Sequence, residues 1–346
     1  MLSPMSRLLC MFFIGIFFAI CCKEKPNRHH NHGRAADKAR FARREFRKLQ
    51  KRKLLHTTTR RAPQNPSEPP DFLSSMGWYE KSNLYYKQRN FLDQTPHAEK
   101  ESKRLQQLQL LYEKNIQVAD DFSRKPVIPK IIHQIWLGPK TPPAIFKKSQ
   151  ESIQKLYPDW EYKLWTDADV SHLGLYNQKY YDLSDNFGAK ADILRYELLY
   201  RYGGIYLDVD FICKKPFDRL LYYDLFVGIQ PIDCVAHICN CIIGSIPGQS
   251  VLNDCVISLG ESWDNDGENN ILNMVGPMHF QRSFMKFVDD EGITIIALPT
   301  GFFFPLSFKN RYRGLTSLHK KSPNRKIQSL ARPETLAIHY WAGSWW

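Results

Sequence analysis

A tract running from Lys190 to Asp210, Lys-Ala-Asp-Ile-Leu-Arg-Tyr-Glu-Leu-Leu-Tyr-Arg-Tyr-Gly-Gly-Ile-Tyr-Leu-Asp-Val-Asp, constrains this chain more than any other. Ile193, Tyr196 and Tyr200 recur at helical spacing, which predicts a helix over residues 189–202, and Gly203-Gly204 supplies a left-handed stop. Ile205-Tyr206-Leu207 then reads as a short strand. That puts Asp208 and Asp210 at its carboxyl end, where open α/β sheets place their ligands. Side chains alternate along a strand, so the two carboxylates share a face and both reach a divalent cation. One helix turn earlier, Asp192 and Arg195 are three residues apart on one helix face. Taken alone, Asp-x-Asp is a common exposed acidic pair, and Asp192 with Arg195 is an ordinary helix salt bridge. Within the whole tract they suit Mg²⁺ or Mn²⁺ neutralising charge on a departing diphosphate.

The flanking sequence supplies a scaffold. Strand patterns at 131–136, 162–165, 205–208, 225–228 and 293–297 alternate with helical ones at 145–156, 189–202, 251–259 and 279–288. This order predicts an α/β fold with a largely parallel sheet, and the stretch is long enough for one core. Residues 62–70 form a proline-rich, extended spacer. Leu105, Leu108, Tyr112 and Ile116 mark a helix over about 99–118, either a stem or an element packed on the core. The division expected is an apolar segment at 1–22, a basic arm and linker at 23–70, a helical stem at 71–125 and a catalytic domain at 126–346.

The formal charge of +13 is local: residues 23–61 hold 15 Lys and Arg against 3 acidic residues, and residues 62–346 balance at 32 of each. The basicity therefore describes one arm. It follows a run of 15 uncharged residues, Leu8 to Cys22, and Phe41, Phe46 and Leu49 punctuate it, so it is expected to lie against anionic lipid. No recognition motif accompanies it, so nucleic acid is not an expected partner. As a helix the apolar run spans about 22 Å, short of the roughly 30 Å hydrocarbon core. No clean cleavage site follows. An uncleaved, single-pass N-terminal anchor is expected. Positive charge after it favours a cytoplasmic arm.

Cys213, Cys234, Cys239, Cys241 and Cys255 are odd in number, leaving at least one unpaired. Cys234, His237, Cys239 and Cys241 lack the spacing of a zinc knuckle, and Cys239 and Cys241 alternate within a buried strand, 238–243.

Five stretches resemble a known family: Ile128-Pro-Lys-Ile-Ile-His-Gln-Ile-Trp-Leu-Gly138, Pro158-Asp-Trp-Glu-Tyr-Lys-Leu-Trp165, Ala189 to Asp210, Phe303-Phe-Pro305 and His339-Tyr-Trp-Ala-Gly-Ser-Trp345. The chain resembles, over about residues 126–346, the glycosyltransferases with a DxD sugar-binding region. These include the fungal mannosyltransferases of the Och1 type, and clostridial glucosylating toxins are more distant. The resemblance implies a GT-A type, Rossmann-like nucleotide-sugar-binding domain. It also implies a metal-dependent hexosyltransferase, moving a hexose from a UDP- or GDP-sugar donor to a glycan, glycolipid or protein acceptor, with retention of anomeric configuration. Mn²⁺ or Mg²⁺ is the implied cofactor, with Asp208, Asp210 and His339 as metal ligands. Asp192 and Arg195 contact the transferred sugar, Trp136 carries the base, and Ser344 and Trp345 close over the diphosphate. His133 and Gln134 match the family pattern, with strand-end packing expected for His133. Val275-Gly-Pro277 departs from the small hydroxyl residue expected before Gly-Pro, so Val275 is given no donor contact. Phe302 to Pro305, Tyr340, Trp341 and Trp346 belong either to an acceptor cleft or to the core.

Family analogy places the enzyme in a Golgi- or ER-like lumen or a bacterial envelope, against the charge argument above. A secreted effector glycosylating host protein is the runner-up. An aspartate-nucleophile phosphatase is the remote alternative, since an apolar strand ending in Asp-x-Asp also opens those enzymes. Ile212 and the late position of the motif count against it.

Overall fold

The computed structural model describes residues 69–77, 98–120, 123–231, 237–266, 270–307 and 330–343. The apolar segment, the basic arm, Cys234, Ser344, Trp345 and Trp346 lie outside them. Among the described residues no helix is long and apolar enough to cross a membrane. The chain divides into two compact units, Pro69–Arg89 with Glu101–Trp346, and Met1–Glu68 with Asn90–Lys100. The sheet and the cleft belong to the first.

In chain order the elements are α1 (Phe72–Ser75), α2 (Ala98–Asn115), β1 (Ile131–Ile135), α3 (Ala144–Leu156), β2 (Glu161–Trp165), α4 (Asp167–Val170), α5 (Gln178–Leu183) and α6 (Phe187–Tyr202). They continue as β3 (Gly204–Leu207), β4 (Phe211–Cys213), β5 (Leu225–Ile229), β6 (Ile238–Ser245), α7 (Ser250–Ile257), α8 (Leu259–Asp266), α9 (Ile271–Met274), α10 (Pro277–Met285), β7 (Ile295–Leu298) and β8 (Ala337–His339). Each strand and helix expected from the alternation is present, its ends within three residues of those expected; the largest offset is at the end of α10, which stops at Met285.

The main sheet has the order β2-β1-β3-β6-β5-β7. Its pairs are parallel except those of β6, which runs against both β3 and β5. Loop length explains the reversal: residues 230–237 join β5 to β6, too few for the crossover of a dozen or more residues that a parallel neighbour requires. The sheet is mixed and mostly parallel, as the sequence pattern predicts. A second, two-stranded sheet pairs β4 with β8, setting Phe211 opposite His339. This pairing brings the end of the chain to the residues just after β3.

α2 is packed on the core. Leu105, Leu108, Leu111 and Tyr112 join the main cluster of buried residues, and Asn115 Nδ2 donates to the Ile295 carbonyl at 2.8 Å.

α6 is buried along a continuous run from Asp192 to Leu199. The helical spacing of three apolar residues understates this, since a helix covered on every side must also bury its polar positions. Glu197 shows how one is satisfied: its Oε1 accepts from Asn177 N at 2.8 Å, and its Oε2 accepts from Tyr176 N at 2.8 Å and Arg201 Nη2 at 2.9 Å. Two backbone glycines end the helix. Gly203 has φ +62 and Gly204 φ +93, and a Cβ on Gly204 would stand 2.7 Å from the Ile131 carbonyl oxygen. The turn from α6 into β3 is therefore closed to any side chain.

Glu197→Ala would strand two backbone donors and take from Arg201 its carboxylate, leaving it the Leu173 and Gly174 carbonyls. The expected loss is about 2–3 kcal/mol, at the low end for a broken buried pair because Arg201 stays within reach of water. Thermal melting checks it, with Glu197→Gln losing less; an unchanged melting temperature in Glu197→Ala would mean that the 173–177 loop does not depend on this carboxylate.

Candidate active site

Asn186 starts α6 by accepting from the N–H groups of Gly188 and Ala189 at 2.8 and 3.1 Å. Two turns on, the helix presents Asp192 and Arg195 toward the sheet, at 7% and 5% exposure. The Arg195 guanidinium reaches Asp192 Oδ1 at 3.0 Å and Asp208 Oδ1 at 3.4 Å, and donates to the Asn240 carbonyl at 2.7 Å. Its face lies 4.4 Å from the centroid of the Tyr206 ring. A desolvated cation over an aromatic gains about 2 kcal/mol. These partners keep Arg195 protonated despite burial, Tyr206 and Asp192 foremost among them.

Asp192 is held from the other side by Asn240 Nδ2 at 2.8 Å. The same amide donates to Tyr196 Oη at 2.8 Å, whose hydroxyl donates in turn to the Val275 carbonyl at 2.8 Å. Burial lifts the Asp192 carboxyl to about 7 against the pull of Arg195.

β3 ends at Leu207, and Val209 and Asp210 form a turn into β4. Asp208 and Asp210 are thus brought together by a tight turn, closed by Phe211 N to the Asp208 carbonyl at 3.2 Å, rather than by alternation along one strand. Asp208 Oδ1 accepts from the Tyr206 hydroxyl at 2.6 Å. Its backbone is fixed from both sides: its N–H donates to the Cys241 carbonyl at 2.9 Å, and its own carbonyl accepts from Gln134 Nε2 at 3.3 Å. Burial raises the Asp208 carboxyl above its usual range.

Asp210 has both carboxylate oxygens engaged. Oδ1 meets His339 Nε2 at 3.0 Å, and Oδ2 accepts from Ala342 N at 2.6 Å. The His339 charge and these bonds hold Asp210 below the ordinary carboxylate range despite burial, and Asp210 holds His339 above that of a free imidazole.

The residues here fit a divalent cation. An Asp208 carboxylate oxygen, a His339 ring nitrogen and Cys241 Sγ all lie within 4.8 Å of one another, and among the described residues the buried His339 Nδ1 has no hydrogen-bond partner. Asp208 and His339 from the expected ligand set meet there. Asp210 stands behind His339 as its counter-ion.

These groups line one side of a cavity of about 270 Å³ that also takes in Trp136, Lys140, Phe187, Gln230 and Trp341. Trp136 is half-buried, stacked on Phe146 at 6.0 Å, with Nε1 donating to the Lys140 carbonyl at 2.9 Å. His133 lies apart from the cavity as a packing residue: Trp165 Nε1 donates to its Nδ1 at 3.1 Å, leaving Nε2–H for the Gly203 carbonyl at 2.9 Å. Burial pushes it down to about 4, so it is neutral. Phe302, Phe303 and Phe304 are core residues, at 7%, 0% and 1% exposure, which leaves them no part in an acceptor cleft.

A second Asp-x-Asp, Asp167-Ala-Asp169, is structural. Asp169 Oδ2 accepts from Thr166 N and Oγ1 at 2.8 and 2.6 Å to cap α4, and Asp167 Oδ2 accepts from Gly138 N at 2.8 Å. Position after a buried strand separates the two motifs. Sequence reading passed over Asn240, Tyr206 and the placement of Cys241. The available signal was an asparagine inside the otherwise apolar run Ile238-Cys-Asn-Cys-Ile-Ile243, because a buried amide needs partners.

Residues 143–227 match the family described as the glycosyltransferase sugar-binding region containing DXD motif. The chain is 40% identical over 132 residues to inositol phosphoceramide mannosyltransferase 2 of Schizosaccharomyces pombe, covering 37% of this chain and 37% of that protein. It is 32% identical over 133 residues to mannosyl phosphorylinositol ceramide synthase SUR1 of Saccharomyces cerevisiae, covering 37% and 34%. The chain thus spans about a third of the length of these relatives. Among solved structures, the PaToxG glycosyltransferase is 18% identical with a TM-score of 0.41, over 67% of this chain and 85% of that one. Over residues 143–227 the chain is similar to the glycosyltransferase sugar-binding region containing DXD motif, and over about a third of its length to these yeast enzymes.

Proposed function

We propose that the chain is a metal-dependent hexosyltransferase of the GT-A kind. It moves a sugar, mannose foremost, from a nucleoside-diphosphate donor to a glycolipid acceptor of the inositol phosphoceramide class. The observation that carries this reading is the meeting, in one cavity, of the buried Asp192–Arg195 pair with Asp208 and His339. The choice of sugar and acceptor is supported by the names of the yeast relatives. The apolar segment and the basic arm serve in this proposal as the membrane attachment of an enzyme working on a lipid.

Asp208 and His339 would hold Mn²⁺ or Mg²⁺, which supplies counter-charge for the diphosphate as the glycosidic bond breaks. Trp136 offers an aromatic face at the cavity edge for the base. Arg195 donates to the sugar and its phosphate, and Asp192 orients the sugar hydroxyls. Each carboxylate that lines the cavity is already engaged: Asp192 by Arg195 and Asn240, Asp208 by Arg195 and Tyr206, Asp210 by His339 and Ala342. Among the described residues none stands apart as a base or nucleophile, which supports retention with the departing phosphate oxygen taking the acceptor proton on the same face. A phosphatase would need Asp210 to carry a proton as general acid. His339 and the Ala342 N–H favour its anion instead.

Donor turnover by the full chain, over a panel of UDP- and GDP-sugars with inositol phosphoceramide and either Mn²⁺ or chelator, tests the reading. Release of one nucleoside diphosphate, dependent on metal and on acceptor, is expected. Asp208→Asn should lower kcat/KM at least about a hundredfold, the order seen when one preorganised charge contact is lost, with thermal melting little changed. Hydrolysis of a simple phosphate ester with no donor turnover would overturn the proposal.

Arg195→Lys keeps the charge and loses the fork that spans Asp192, Asp208 and the Asn240 carbonyl. Both kcat/KM and melting temperature should fall. An active, fully stable Arg195→Lys would show that the guanidinium geometry is dispensable.

A further inference from the structure

Cys241 belongs to the same corner of the cavity as Asp208 and His339, and the transfer reaction gives it no work. β6 pins it there, because its carbonyl accepts from Asp208 N at 2.9 Å. Its neighbour Cys239 borders the same cavity, with Sγ accepting from Gln230 Nε2 at 3.2 Å and from Cys241 N at 3.4 Å. No disulfide involves Cys213, Cys239, Cys241 or Cys255, so the sulfur is a thiol. The Cys241 Sγ, an Asp208 carboxylate oxygen and a His339 ring nitrogen lie within 4.8 Å of one another. His339 is 6% exposed, and among the described residues its Nδ1 has no hydrogen-bond partner. A buried imidazole nitrogen left unpaired is a costly arrangement for a site with no ligand.

The donor types narrow the choice of ion. Oxygen ligands alone suit Mg²⁺ or Mn²⁺, whereas one sulfur, one nitrogen and one oxygen suit a thiophilic ion. Three protein ligands of these types with a further position open are a zinc pattern. We propose that Asp208, Cys241 and His339 form a binding site for a thiophilic divalent cation, zinc foremost, in the cavity free of donor. Zinc binding displaces two protons to solvent, one from the Cys241 thiol and one from Nδ1 of the charged His339 imidazolium, whose Nε2–H stays on Asp210. Because Asp208 and His339 are shared, zinc and the manganese or magnesium of the transfer reaction exclude one another. Only that last consequence rests on the transferase reading.

The experiment uses the metal-stripped full chain without donor, so that it succeeds or fails independently of turnover. Co²⁺ stands in for Zn²⁺ and reports a bound thiolate through sulfur-to-cobalt charge-transfer absorption. The wild-type chain should show this band, Zn²⁺ should abolish it, and Zn²⁺ should raise the melting temperature. Cys241→Ser should diminish the band and weaken Zn²⁺ binding by more than the roughly tenfold that loss of an outer-shell partner already produces. Cys239→Ser should retain both. Cys241→Ala read by the Zn²⁺-induced melting shift covers a serine variant that folds poorly. No band in the wild-type chain, or a band and melting shift unchanged by loss of the Cys241 sulfur, would overturn the site.

Discussion

A guanidinium buried at 5% exposure has to be matched wherever its donors point, and Arg195 is matched by three different elements. α6 supplies Asp192, the end of β3 supplies Asp208 and the Tyr206 ring, and β6 supplies the Asn240 carbonyl. Leaving such an ion unpaired costs several kcal/mol. The helix and both strands must therefore meet at one depth and one rotation for the core to close. The same requirement shapes the cavity, since the groups that satisfy Arg195 are those that line it. Stability and site geometry are one constraint here, and a donor entering the cavity would meet charges already fixed in place.

The backbone makes that meeting possible at two points. Gly203 and Gly204 let α6 turn directly into β3, with the Ile131 carbonyl oxygen so close to Gly204 that a Cβ has no room. The loop between β5 and β6 is too short for a crossover, so β6 enters the sheet antiparallel beside β3 and carries Asn240 and Cys241 to the Asp208 end. A parallel strand in that slot would have its carbonyls and side chains in the opposite sense. The reversal, which looks like an irregularity of the sheet, is what lets one strand contact both Arg195 and Asp208.

Much of this was legible in the sequence because local signals agreed. The helix over 189–202, its double-glycine stop and the short strand before Asp208 follow from periodicity and turn chemistry within one tract. Asp192, Arg195 and Asp208 converge as that tract implies. What could not be read was contact across long separations. Cys241 is 33 residues beyond Asp208 in the chain, and only the pairing of β3 with β6 puts them together. His339 reaches Asp210 through the pairing of β8 with β4, a three-residue strand too short to announce itself by pattern, so that only the family resemblance grouped it with Asp208 and Asp210. Asn240 was hidden for another reason: a single polar residue in an apolar run shows that a partner exists without naming it. The aromatics of Phe302 to Phe304 had two readings, and burial selects the core.

Asp208 has more partners than one carboxylate can serve equally. It accepts from Tyr206, faces Arg195 at 3.4 Å and shares a corner with His339 and Cys241. In the proposed transfer, a cation drawing on Asp208 weakens its hold on Arg195, which is left with Asp192 and the Asn240 carbonyl. The guanidinium then has reason to turn toward a new anion, and the donor diphosphate is the one at hand. Cation and donor would each improve the site for the other, a coupling that follows from sharing one carboxylate between two cations and needs no movement of the fold.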